Sequence, residues 1–169
     1  MPSGDNQTYM ELKEEFSGVP GMLRPFKAYL REAGLAPGDQ VAYYGCPGTC
    51  TPFIELLGFA VRDLSLEQVY VPYVDETAAK AIRPVEGVGM QVSGDAVSLD
   101  PKVIVLMGGL SMPGVPVERE AVQAVVAAHP GAKVVGICFM RMFEKMGWLD
   151  TFEFEVVIDA TLDPVRVWR

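Results

Sequence analysis

Five short apolar runs, each broken by a turn containing glycine, proline or acidic residues, recur along this chain with helix-length segments between most of them. They cover residues 40–45, 68–74, 102–107, 133–138 and 155–160. Near-continuous Val, Ile and Leu marks strands buried on both faces, which is the habit of parallel sheets. Parallel neighbours can be joined only through a crossover, and in one sheet that crossover is right-handed. The pattern predicts an α/β fold: a three-layer, doubly wound, mostly parallel sheet of about five strands, Rossmann-like or flavodoxin-like. A small β-hairpin near residues 90–99 is an alternative reading of Gly94-Asp95 and its apolar flanks.

The intervening segments carry helical periodicity. Met22, Phe26, Tyr29, Leu30 and Ala33 recur at three- and four-residue intervals before Gly34, so a helix is expected there. Thr51 reads as an N-cap with Pro52 in the first helical position. A short helix is expected after Asp75, stopping before Pro84. Helices are also expected over 117–128, ending near Pro130-Gly131, and over 140–146, closed by Gly147. Residues 1–8 read as a frayed tail on a single domain spanning 1–169.

Composition narrows the function classes. A chain of 169 residues with net charge -8 and scattered Lys and Arg does not offer the basic footprint that nucleic acid needs. Its apolar runs are too short to span a membrane, and the acidic N-terminal region is no signal peptide, so a cytoplasmic location is expected. Half of the residues are hydrophobic. That surplus points to apolar surface covered by a second subunit, a homodimer being the simplest case.

In open parallel sheets, ligands bind beyond the carboxyl ends of the strands. Three such ends are unusual here: 45–52, 108–114 and 138–141. The candidate ligand-binding residues are Gly45, Cys46, Gly48, Thr49, Thr51, Asp75, Gly108, Gly109 and Ser111. Glycine lets backbone amides converge on an anion, and a helix start near Thr51 adds its dipole. A small anionic ligand such as a nucleotide is therefore one expected guest of a binding or regulatory domain; bare turn-making is the alternative. Neither a Walker loop nor a dinucleotide fingerprint is present.

A second class of reading concerns Cys46, Cys50 and Cys138. Three converging thiols suit a redox pair, a metal or an iron–sulfur cluster. With parallel strands in the order 3-2-1-4-5, all three sulfurs converge; with 2-1-3-4-5, another strand stands between Cys138 and the other two. Their alternative role is as small buried hydrophobes. A third class is a purely structural oligomer subunit. His129 before Pro130-Gly131 is expected to cap or be solvated, and Asp159 and Asp163 have no evident partner. Met140, Met142, Phe143 and Met146 read as core filler.

Residues 50–57 (Cys-Thr-Pro-Phe-Ile-Glu-Leu-Leu), Ala60-Val61-Arg62-Asp63 and residues 136–148 resemble an uncharacterised family of methanogenic archaea. The likeness runs from about Gly45 onward and implies an archaeal, cytoplasmic α/β protein with no assigned catalytic residue. A fainter resemblance is to class I S-adenosylmethionine-dependent methyltransferases. It rests on residues 41–49 as first strand and glycine loop, Asp75 as ribose acid, Gly94-Asp95-Ala96 as acidic turn, and 103–108 as fourth strand. Tyr43 and Tyr44 stand where that family has an acid, and Pro47 interrupts the glycines.

Overall fold

The computed structural model describes residues 10–169, so the expected tail at 1–8 lies outside the described residues. One seven-stranded sheet organises the chain, in the order β4-β3-β2-β1-β5-β6-β7. The expected parallel strands are β1 (Gln40–Gly45), β2 (Glu67–Pro72), β5 (Pro101–Met107), β6 (Lys133–Phe139) and β7 (Val156–Ala160). All their pairings are parallel. Counted among themselves they stand 2-1-3-4-5, the flavodoxin-like arrangement, and the Rossmann order is excluded.

The additional strands correct the sequence reading. Where a short helix was expected before Pro84, a single 3-10 turn (Glu76–Ala78) gives way to β3 (Lys80–Val85), which turns through 86–88 into β4 (Gly89–Ala96). The hairpin therefore runs over 80–96, and Gly94-Asp95 lies within β4 instead of forming its turn. Pro84 is tolerated because β2 pairs only with Lys80 and Ala81, so no donor toward β2 is lost at Pro84.

The helices lie on opposite faces. In α1 (Gly18–Glu32), Met22, Phe26 and Leu30 form a buried stripe at four-residue spacing, and Phe26 packs on Tyr43 at 6.1 Å between ring centroids. Gly45, two residues along β1 and so on the same face, meets Ile54 of α2 (Thr51–Ala60). Tyr44 points to the other face. Its hydroxyl donates to Glu76 Oε1 at 2.7 Å, and His129 Nε2 meets the same oxygen at 2.7 Å. His129 caps α3 (Arg119–Ala128), which places the end of that helix on the Tyr44 face. On the same face α4 (Met142–Lys145) lays Phe143 against Gly136 in an aromatic cluster with Trp148, Phe152 and Phe154.

Buried polar groups on β1 and β2 are paired. Tyr43 donates to Gln68 Oε1 at 2.8 Å, and Gln68 Nε2 donates to the Gly58 carbonyl at 3.0 Å. A satisfied bond of this kind costs little, whereas an orphaned partner costs about 1–3 kcal/mol. Among the described residues, no helix is long and apolar enough to cross a membrane.

Candidate functional site

The chain leaves β1 toward β2 on one side and leaves β5 toward β6 on the other, so the connections diverge between β1 and β5. Such a switch point opens a crevice at the carboxyl ends of the strands. A cavity of about 220 Å³ lies there, lined by Thr49, Cys50, Phe53, Met107, Gly108, Gly109, Met112, Phe139, Met140 and Met142.

The turn after β1 builds one wall. Cys50 N donates to the Cys46 carbonyl at 3.0 Å, and Cys50 itself, not Thr51, caps α2; Thr51 is its first residue and Pro52 its second. Thr51 Oγ1 instead accepts from Gly48 N at 3.2 Å, closing an exposed turn in which Gly48 has φ +82°. Gly45 is sealed in: a Cβ there would stand 2.7 Å from Cys50 Cβ, and its carbonyl accepts from Tyr73 N and the Tyr70 hydroxyl.

The turn after β5 builds the floor. Gly108 passes so close to β6 that a Cβ would lie 2.5 Å from Cys138 Cβ. A Cβ on Gly109 would overlap Cys50 Sγ and lie 3.5 Å from Cys46 Sγ. Both glycines are thus required by close approach and not by unusual φ. Ser111 is buried and donates to the Gly108 carbonyl at 2.7 Å, which shapes the turn without reaching the cavity.

The third wall is strained. Met140 and Arg141, neither of them glycine, are left-handed, with φ of 55° and 59°. Each costs about 1–2 kcal/mol. Asp159 accepts from Arg141 N at 3.0 Å, and Met140 N donates to the Ala160 carbonyl at 2.9 Å, so β7 holds the pair in place. Strained backbone of this kind gathers at functional sites.

Of the sequence-derived candidates, Thr49, Gly108 and Gly109 line the cavity, together with Cys50 from the thiol set. Asp75 does not: it accepts from Thr77 N and Thr77 Oγ1 and so caps the 3-10 turn that follows it. With Asp75 so engaged and Gly94-Asp95 in β4 at the far edge of the sheet, the methyltransferase-like positions do not assemble around one site. Met140 and Met142 belong to the cavity wall, not to the core filler expected of them. Phe53, Met107, Met112 and Phe139 were missed: each reads locally as an ordinary apolar position in or beside a helix or strand, and only the strand order brings them to one crevice.

The thiols divide. Cys46 and Cys50 face each other beside Gly109, while Cys138, across β5, donates to Asp159 Oδ1 at 3.3 Å. All three are free and buried. Burial pushes the Cys46 thiol up to about 11, with Cys50 adding to it; burial and Asp159 push Cys138 up to about 12. Among the described residues no group of three or more His, Cys, Asp or Glu side chains is arranged to hold a metal ion.

A measurable pH dependence follows. The folded protein holds the Cys46 and Cys138 protons more tightly than the unfolded chain, whose thiols titrate near 9. Their stabilising contribution is complete below that value and declines as pH rises through 11 and 12. Urea unfolding as a function of pH should show this alkaline loss, and native thiols should react slowly with Ellman's reagent at about pH 8. Prompt native reaction of Cys46 or Cys138 would contradict the burial argument.

Fold and crevice together define the class: a doubly wound α/β protein with an apolar cavity at its switch point. The chain belongs to the family described as "Uncharacterized protein conserved in archaea (DUF2124)", which matches residues 17–163. That reach extends the likeness back from Gly45 to include α1. An uncharacterised protein of Methanocaldococcus jannaschii is 35% identical over 157 residues, covering 93% of each chain. Another, from Methanothermobacter thermautotrophicus, is 34% identical over 156 residues, covering 91% of this chain and 96% of that one. A crystal structure of a protein of unknown function from Methanothermobacter thermautotrophicus superposes with a TM-score of 0.84 at 31% identity, covering 95% of this chain and 99% of that one.

Proposed function

We propose that the protein is a binding or regulatory module whose guest is a small, largely apolar molecule seated over Thr49, Gly108 and Gly109. The observation that carries this reading is the lining: six of its ten residues are Met or Phe, and none is Lys, Arg or His. An anion, the guest suggested by the glycine-rich turns, is less well served. At the start of α2, Pro52 has no N–H and Phe53 N is spent on the Cys50 carbonyl. A volume of about 220 Å³ suits a single aromatic ring or a short aliphatic chain. The buried free thiols favour a reducing, cytoplasmic setting.

Benzene or indole in a thermal melt is the direct probe. At ten times Kd the expected stabilisation is about 1.4 kcal/mol, raising Tm by about 4 °C. Met112→Trp, at the mouth, should abolish that rise while keeping the ligand-free Tm. An equal rise with inorganic phosphate and none with the apolar probes would return the reading to an anion.

A second reading rests on sulfur. Cys46 and Cys50 face each other beside four Met residues in the cavity wall, and thiolates with thioethers prefer soft monovalent ions such as Cu(I). Anaerobic Ag(I) titration against a chelator should then give one ion per chain, lost in Cys50→Ser and kept in Cys138→Ser. A three-cysteine cluster is disfavoured, since Cys138 lies across β5.

A further inference from the structure

Cys46 and Cys50 are buried free thiols that a guest merely filling the cavity would leave unused. Their backbones are already tied, because Cys50 N donates to the Cys46 carbonyl at 3.0 Å. Through that bond the two Cα atoms stand at most about 7 Å apart, the outer limit of what a disulfide bridges. The side chains turn the same way, since both sulfurs crowd the place that a Cβ on Gly109 would occupy. The turn joining them is exposed at 47–49 and pivots on Gly48, so drawing the sulfurs together bends a turn and not a strand. Access differs between the two: Cys50 lines the cavity and Cys46 does not.

We propose that Cys46 and Cys50 are a redox-active dithiol that exchanges with small, neutral, apolar disulfides entering the cavity, Cys50 attacking and Cys46 resolving. The substrate class rests on the apolar-guest reading above. A lining of Met and Phe admits an uncharged disulfide and has no cation to receive an anionic one. Cys138, across β5 and bonded to Asp159, takes no part.

The exchange runs in two steps. Cys50 Sγ, deprotonated as it attacks, bonds to one sulfur of the guest, and the other sulfur leaves as a thiolate that takes up that proton. Cys46 Sγ then attacks Cys50 Sγ, gives up its own proton and expels the second guest thiol. Two protein thiols are oxidised to one disulfide, the guest disulfide is reduced to two thiols, and no further reactant is consumed. Burial holds the proton on Cys46, which makes it the poorer first nucleophile. Its attack is intramolecular, so proximity supplies what reactivity lacks.

Dithiodipyridine, a neutral aromatic disulfide, tests this on the full chain. Wild type should release two thiopyridones per chain and lose two hydrogens in mass with no retained adduct, and peptide mapping should place the bond between Cys46 and Cys50. Cys46→Ser should release one thiopyridone and keep a pyridyl adduct on Cys50. Cys50→Ser should release none promptly, and Cys138→Ser should match wild type. Ellman's reagent, a dianion, should react about tenfold more slowly or less, and saturating indole should slow thiopyridone release. A stable adduct on wild type, a disulfide that includes Cys138, equal rates for the two reagents, or release undiminished by bound indole would overturn the inference. The indole melt separates it from the reading on which it rests. A Tm rise with no thiopyridone release sinks the dithiol and leaves the apolar guest, whereas release with no Tm rise does the reverse.

Discussion

Replacing Gly108 by alanine is expected to cost about 3 kcal/mol or more, a large share of the roughly 5–15 kcal/mol that holds a domain of ordinary stability together. The cause is backbone, not side chain. A Cβ there would lie 2.5 Å from Cys138 Cβ and 2.9 Å from Cys138 Cα, so relief requires moving β6 itself. Strand β6 sits between β5 and β7 and cannot shift without breaking one ladder. Shrinking Cys138 would not help, because its Cα stays in place. Urea midpoints of the single variant and of its combination with Cys138→Ala decide the matter; a loss below about 0.5 kcal/mol, or full rescue by Cys138→Ala, would sink the argument.

Phe143→Ala should cost about 3–5 kcal/mol. Phe143 is fully buried, its ring parallel to Trp148 within 9° at 5.2 Å and stacked on Phe154 at 5.2 Å. The ring also fills the place of a missing side chain on β6: a Cβ on Gly136 would stand 2.8 Å from Phe143 Cε2. Gly136→Ala should therefore be destabilising in the wild type and markedly less so once Phe143 is alanine. A double-mutant cycle reads that coupling, expected to exceed about 1 kcal/mol; strict additivity would show that ring and glycine do not share the space. The same cluster supports the cavity, since Phe143 follows Met142 in α4.

How much was legible can be argued from particular residues. Residues 102–107 announced β5 because Lys102 to Met107 is apolar after its first residue and stops at two glycines, a local signal. Lys80, Arg83 and Pro84 announced nothing of β3: they are poor strand formers whose conformation comes from pairing with Gly89–Ala96. In the site, the glycines at 108 and 109 were readable as close-approach positions, yet what approaches them was not. Asp159 gave no sequence sign of a partner, because the amide that it holds belongs to Arg141, eighteen residues away.

Periodicity and composition alone determined the class of fold, its parallel strands and the rim where its turns cluster, since those follow from which side chains water excludes along each short segment. Only the tertiary structure decided that β5 stands between β1 and β6. That order separates Cys138 from the other two thiols and lines the crevice with Met and Phe. Strand order is set by the balance of packing across the whole sheet, and no local run of residues carries that balance.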